Sequence, residues 1–190
     1  MAETLLAAIR AADPLAAARL AVAPALHVPG EDGLTPLMLA ANLGQTDLVA
    51  LLLAAGADVD TAGELGFTAL FHACHNADAD RGHPEVVQAL IAAGANKEAC
   101  IGYGVRPLMY AAGHGEAGVV QALLDAGADP MARNQGGRTA LMMVKDRDYV
   151  DVINILHEAE SLLESGANCG SRNAPEMQVV TFMKRDPAAS

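Results

Sequence analysis

Gly33-Leu34-Thr35-Pro36-Leu37-Met38-Leu39-Ala40-Ala41 decides the reading of this chain, because it returns three times. The copies are Gly66-Phe67-Thr68-Ala69-Leu70-Phe71-His72-Ala73-Cys74, Gly104-Val105-Arg106-Pro107-Leu108-Met109-Tyr110-Ala111-Ala112 and Gly137-Arg138-Thr139-Ala140-Leu141-Met142-Met143-Val144-Lys145. The opening glycines Gly33, Gly66, Gly104 and Gly137 follow one another at spacings of 33, 38 and 33. A second landmark repeats in step: Ala55-Gly56-Ala57-Asp58, Ala93-Gly94-Ala95-Asn96 and Ala126-Gly127-Ala128-Asp129, spaced by 38 and 33. The shorter spacing is therefore the period, and the second unit exceeds it by five. Self-similarity at this period is the mark of a repeat architecture.

Each unit predicts two helices. Thr35 or Thr68 can accept from a free N–H of the first turn, and Pro36 at the first helical position gives up only an N–H that has no partner there. The first helix is short and carries small residues (Ala40, Ala41) where a neighbour must approach. Gly44, Gly82 and Gly115 end it. The second helix opens near an acid, Asp47 or Glu85, at its positive end. It continues through Leu48–Leu53, Val86–Ile91 or Val119–Leu124. Gly56, Gly94 and Gly127 then supply the left-handed residue that closes a helix. One such unit cannot cover its own apolar faces, whereas a stack of them can.

The Thr-Pro-Leu-x-x-Ala-Ala and Gly-Ala-Asp elements resemble the ankyrin repeat. The resemblance implies an all-α solenoid of stacked helix-turn-helix units joined by β-turn or hairpin loops. It divides the chain into a degenerate N-terminal capping repeat (1–29), a repeat at 30–62, and a repeat with a five-residue insertion at 63–100. A further repeat at 101–133, a C-terminal capping repeat at 134–165 and a tail at 166–190 complete it. Five helix pairs are expected. Three departures stand out. The family's His after Thr-Pro-Leu is replaced by Met38, Phe71, Met109 and Met142, so apolar packing replaces an internal hydrogen bond. Arg106 stands where Thr caps the third repeat, which weakens that turn. In the last repeat Asp148-Tyr149-Val150-Asp151 occupies the usual Gly-His-x-Glu place, and a longer helix runs through His157 to Leu163, with Glu158, Glu160 and Glu164 on its polar side.

Composition agrees. Of 190 residues, 40 are alanine, 3% are aromatic and none is Trp, which suits close-packed short helices. The formal charge of −11 opposes nucleic-acid binding, which needs a basic face to displace counterions. Cys74, Cys100 and Cys169 form no close pair, so two half-buried thiols and one tail thiol in a reducing compartment are expected. The longest apolar run, Leu48 to Ala57, is far below the ~18 residues of a membrane span, and Glu3, Arg10, Asp13 and Arg19 interrupt any leader-like core. These features predict a cytoplasmic monomer that binds neither membrane nor nucleic acid.

The resemblance implies that turn tips and first helices line a concave surface for partners. By repeat phase that surface includes Leu34, Leu39 and Leu43, then Leu65, Phe67, His72, His75 and Asn76. Tyr103, Val105, Tyr110 and His114 follow, then Arg133 and Arg138. Two of three Tyr, one of three Phe and three of six His fall on it. Apolar anchors of this type, rimmed by polar groups, mark binding surfaces. No phosphate loop, nucleophile elbow or His-Glu-x-x-His helix is present. The expected function is thus non-enzymatic protein binding, as an adaptor or a stoichiometric inhibitor, with no cofactor and no metal. The alternative is a metal-binding or redox-responsive regulator using His72, His75 and His114, with Cys100. His72 and His75, three apart, would share a helical face, but tetrahedral zinc needs four convergent ligands. A third reading is an accessory subunit that positions a substrate for an enzyme. Asn76–Gly82 looks like the start of a calcium loop, yet Arg81 and Val87 stand where its Gly and bidentate Glu belong. The insertion is expected to serve as a contact element instead. In the tail, Gly166, Gly170, Ser171, Asn173 and Pro175 read as linker. Gln178–Met183 is a short apolar run before Lys184-Arg185, which either stays loose or docks on the body or a partner.

Overall fold

A computed structural model describes residues 2–21, 23–77 and 79–167. The expected run 178–183 lies outside them. Among the described residues, eleven α-helices alternate with short loops. They are α1 (Ala2–Arg10), α2 (Pro14–Leu20), α3 (Ala23–Leu26), α4 (Pro36–Asn42), α5 (Thr46–Ala54), α6 (Ala69–Cys74), α7 (Pro84–Ala92), α8 (Pro107–Gly113), α9 (Ala117–Asp125), α10 (Ala140–Val144) and α11 (Val150–Ala167). Among the described residues the only β features are two isolated bridges, Asn76 with Arg81 and Ile101 with Val105. The fold is all-α, as the resemblance implies.

Two rows of helices build the stack. α1, α4, α6, α8 and α10 pack in succession, and so do α2, α5, α7, α9 and α11. The pairs α1/α2, α4/α5, α6/α7, α8/α9 and α10/α11 join the rows, giving the five expected helix pairs. The buried positions follow the repeat phase. Ala40, Ala41, Ala73, Cys74, Ala111 and Ala112 are fully buried, where two first-row helices must nearly touch. Val49, Val87, Val120, Leu52, Leu90 and Leu123 fill the space between rows. Truncating any of these Leu to Ala costs about 2–5 kcal/mol through lost transfer energy and a residual cavity.

The helix ends follow the sequence with two exceptions, at Thr68 and at Gly82: α6 ends at Cys74, well before Gly82, because His75 is already extended. Thr35 Oγ1 accepts from Met38 N at 3.3 Å and Thr139 Oγ1 from Met142 N at 3.3 Å. Thr68, expected to act alike, makes no cap bond, and its hydroxyl is buried without a partner. Arg106 also makes no cap bond. Its guanidinium instead donates to Arg133 O at 3.1 Å and lies 3.1 Å from Glu98 Oε2, tying two turns together. At the ends of α5 and α7, Gly56 and Gly94 adopt φ of 94° and 95°, the left-handed closure that a side chain resists. Met38, Phe71 and Met109 are buried as expected, whereas Met142 is exposed, with no further repeat beyond it among the described residues. The thiols differ from expectation: Cys74 is fully buried and Cys100 exposed, not two half-buried groups.

Candidate interaction surface

The turns that precede each first helix share one hydrogen-bond frame. Gly30 N donates to Leu34 O, Gly63 N to Phe67 O, Ile101 N to Val105 O and Asn134 N to Arg138 O, at 2.8–3.0 Å. The outer tips, bounded by Gly33 and Gly137, place glycine at φ of 74° and 72°. The two middle tips do more. Leu65 sits at φ 60°, ψ 11° and is 85% exposed. Tyr103 sits at φ 60°, ψ 19° and is 83% exposed. Bulky L-residues in this region carry roughly 1–2 kcal/mol of strain each. Neither side chain recovers that cost by burial. Both tips therefore hold a strained backbone under an exposed apolar side chain.

Behind the tips runs a ladder of rings. The Phe67 ring lies 5.5 Å from Phe71, 5.6 Å from Tyr110 and 5.8 Å from His72, centroid to centroid. Tyr110 meets Phe71 edge-on at 5.7 Å and His114 at 4.5 Å, and His114 stacks on His75 at 4.0 Å. Edge-on and tilted pairs at these separations suit the ring quadrupole. The His114 Nδ1–H donates to Tyr110 O at 2.9 Å, which fixes the imidazole over the end of α8. His75 Nδ1 faces Glu116 Oε1 at 2.9 Å.

Burial sets the electrostatics here. It pushes the His72 imidazole below its ordinary value, and the Asp32 carboxylate offsets part of that. Burial likewise raises the Tyr110 phenol, and it drives the Cys74 thiol far above the usual range. Cys74 is thus an inert thiol, since only the thiolate reacts.

The expected residues divide into three groups. Leu65, Tyr103, His114, Arg133 and Arg138 are exposed in whole or part, and Leu43 is 38% exposed. Leu34, Phe67, His72, Val105 and Tyr110 are half-buried and pack against the core or each other. Leu39, His75 and Asn76 are buried and offer almost no side-chain surface. For the two polar residues the reason is cross-repeat bonding. Asn76 Nδ2 donates to Asn42 O, and the His83 Nε2–H donates to the same carbonyl at 3.1 Å. The insertion closes on itself by paired bonds between Asn76 and Arg81. α6 ends at Cys74 and His75 is extended (φ −160°), so His72 and His75 do not share a helical face. His72 instead borders a cleft with Asp32, Leu34 and Phe67. No three His, Cys, Asp or Glu side chains among the described residues converge to hold a metal.

Two shallow clefts flank the ladder. One, of about 240 Å³, lies between the first two tips beside Leu34 and Phe67. The other, of about 350 Å³, is bounded by Val105, Tyr110, His114, Met143 and Tyr149. Small-molecule sites range upward from roughly 300 Å³ and enclose most of their ligand. These two clefts lie near the lower end of that range and are open. Sequence reasoning missed Glu116, Asp32 and the Asn42 carbonyl. Each acts across a repeat boundary, where no local pattern points to it.

This is a helical-repeat protein, with paired helices carrying a row of turn tips. The chain belongs to the ankyrin-repeat family: the family described as Ankyrin repeats (3 copies) matches residues 5–99 and 77–173. It is 35% identical over 129 residues to the B-cell lymphoma 3 protein homolog of Mus musculus, covering 67% of this chain and 28% of that protein. It is 35% identical over 134 residues to Ankyrin repeat domain-containing protein 63 of Homo sapiens, covering 66% and 34%. With Ankyrin repeat and SOCS box protein 16 of Mus musculus it shares 37% over 123 residues, covering 61% and 27%. The matched stretch spans about a third or less of each relative's length. Ankyrin repeats form a protein-interaction module rather than a catalytic one. No described helix is long and apolar enough to cross a membrane.

Proposed function

We propose that this array is a non-enzymatic adaptor or stoichiometric inhibitor that grips one partner protein along its turn tips and first helices. The observation that carries the reading is the pair of strained, exposed tips, Leu65 and Tyr103, set in front of the ring ladder. The tips act as apolar anchors, and the ladder behind them is a rigid platform with His114 at its exposed end. Arg133 and Arg138 supply polar selection at the rim. Preorganisation matters more than area for affinity, because ordering flexible loops at an interface consumes binding energy. Phe67, by contrast, belongs to the platform: its ring is held by Phe71 and Tyr110. An exposed free Cys100 fits a reducing compartment such as the cytoplasm.

The test compares wild type with Leu65→Asp, Tyr103→Asp in affinity capture from native lysate. Calorimetric titration of any protein retained follows. The expected result is one protein held by wild type and lost by the double variant, with identical far-UV circular dichroism. Equal capture by both forms refutes the tip assignment.

A further inference from the structure

α11 is 18 residues long, whereas α5, α7 and α9 are nine each. The extra turns carry apolar residues past the point where a following repeat would cover them. Leu162 is 65% exposed and Leu163 50% exposed. With Leu124 and Ile155 they border a groove of about 600 Å³ between α9 and α11, closed on one side by the turn around Pro130. Asp125, Asp129 and Glu158 also border it. Terminal repeats ordinarily need a polar outer face, so an apolar groove on α11, the last helix among the described residues, calls for a cover.

We propose that this cover is the chain's own segment Met177–Met183, with Lys184 and Arg185 set against the groove's carboxylates. Three features of the sequence fit. Met177, Val179, Val180, Phe182 and Met183 supply the only apolar run beyond α11, and the two cations follow it directly. The body is acidic while residues 166–190 carry three basic and two acidic residues, so attraction works in the right direction. The reach is sufficient. From Ala167 back to Ile155 is 12 helical residues, about 18 Å at 1.5 Å each. Residues 168–176 span up to about 30 Å, and Gly170, Asn173 and Pro175 permit a reversal. Tethering places the segment at an effective concentration on the order of 1 mM, so a modest contact suffices. This surface is separate from the turn tips, and the inference stands apart from the proposed partner reading.

The chain has no Trp, so Phe182→Trp in the whole chain gives one clean fluorophore. The expected emission is blue-shifted, independent of protein concentration, and red-shifted on adding Leu162→Glu and Leu163→Glu. Glu is a good helix former and both positions are at least half exposed, so α11 survives. Lys184→Glu, Arg185→Glu changes only the tail and is expected to shift emission the same way. Emission typical of water-exposed Trp in the parent overturns the proposal. A blue shift insensitive to the Leu162 and Leu163 changes also overturns it, because the segment then docks elsewhere. A blue shift lost on dilution overturns it in favour of a second copy as the occupant.

Discussion

Replacing Leu65 and Tyr103 by glycine separates presentation from support. Each residue holds a left-handed conformation that costs an L-side chain roughly 1–2 kcal/mol, and glycine removes that cost. Glycine in turn raises the entropy of the unfolded chain, offsetting about 0.5–1 kcal/mol. Packing adds little, since Tyr103 is 83% exposed and Leu65 85%. Full burial of such a side chain contributes about 1.5–3 kcal/mol, so the small buried fraction amounts to roughly 0.3–0.5. The three contributions nearly cancel. Deleting a large aromatic and a leucine should therefore leave stability within about 0.5 kcal/mol per tip, a shift of no more than about 2 °C in Tm. Tyr110→Ala provides the contrast. Its ring contacts Phe67, Phe71 and His114, and its loss is expected to cost about 2–4 kcal/mol.

Differential scanning calorimetry of the Leu65→Gly, Tyr103→Gly double variant, beside wild type and Tyr110→Ala, reads these differences. Binding to the captured partner should fall at least 30-fold, about 2 kcal/mol, as for anchors that dominate an interface. A Tm loss as large as that of Tyr110→Ala refutes the reasoning, because the tips would then be supporting the frame. Unchanged stability with unchanged affinity refutes it differently, by showing that the strain serves no contact with that partner.

Gly115→Ala and Gly127→Ala start from the same φ of 78°, but only at Gly115 would the new Cβ meet a ring, that of Tyr149 at 2.9 Å. The expected loss is about 2–4 kcal/mol at Gly115 and about 1–2 at Gly127, by urea denaturation. In a Cys169→Ser background Cys100 should react promptly with a thiol reagent, while buried Cys74 reacts only on unfolding; two equally fast thiols would contradict the packing of α6. Burial lowers the folded-state values of His72 and His83 below 6.5, so the unfolded chain binds more protons beneath that pH. Their stabilisation is present above about pH 6.5 and is lost as pH falls through and below it. The urea midpoint should drop between about pH 7.5 and 5.5, and His72→Gln should flatten that dependence.

The fold was legible because every unit repeats the same local instructions. Pro36, Pro84 and Pro107 each open a helix where proline is tolerated, and small residues mark the first-row contacts. The surface was less legible because its residues are sorted by contacts between units. Asn76 and His75 match the phase of a partner-facing position, yet Asn42 from the preceding unit and Glu116 from the following one draw them inward. Their separations of 34 and 41 residues exceed any local window. The five-residue insertion adds to this: α6 ends at Cys74, and His75 is turned out of the helix. Leu65 and Tyr103 present the opposite case. Phase placed them on the surface, but only the backbone angles reveal that they are held there under strain. A solenoid's sequence period thus specifies the scaffold, and departures from it, by an inserted loop or a bulky residue in a glycine conformation, locate the positions where one array comes to differ in function from another.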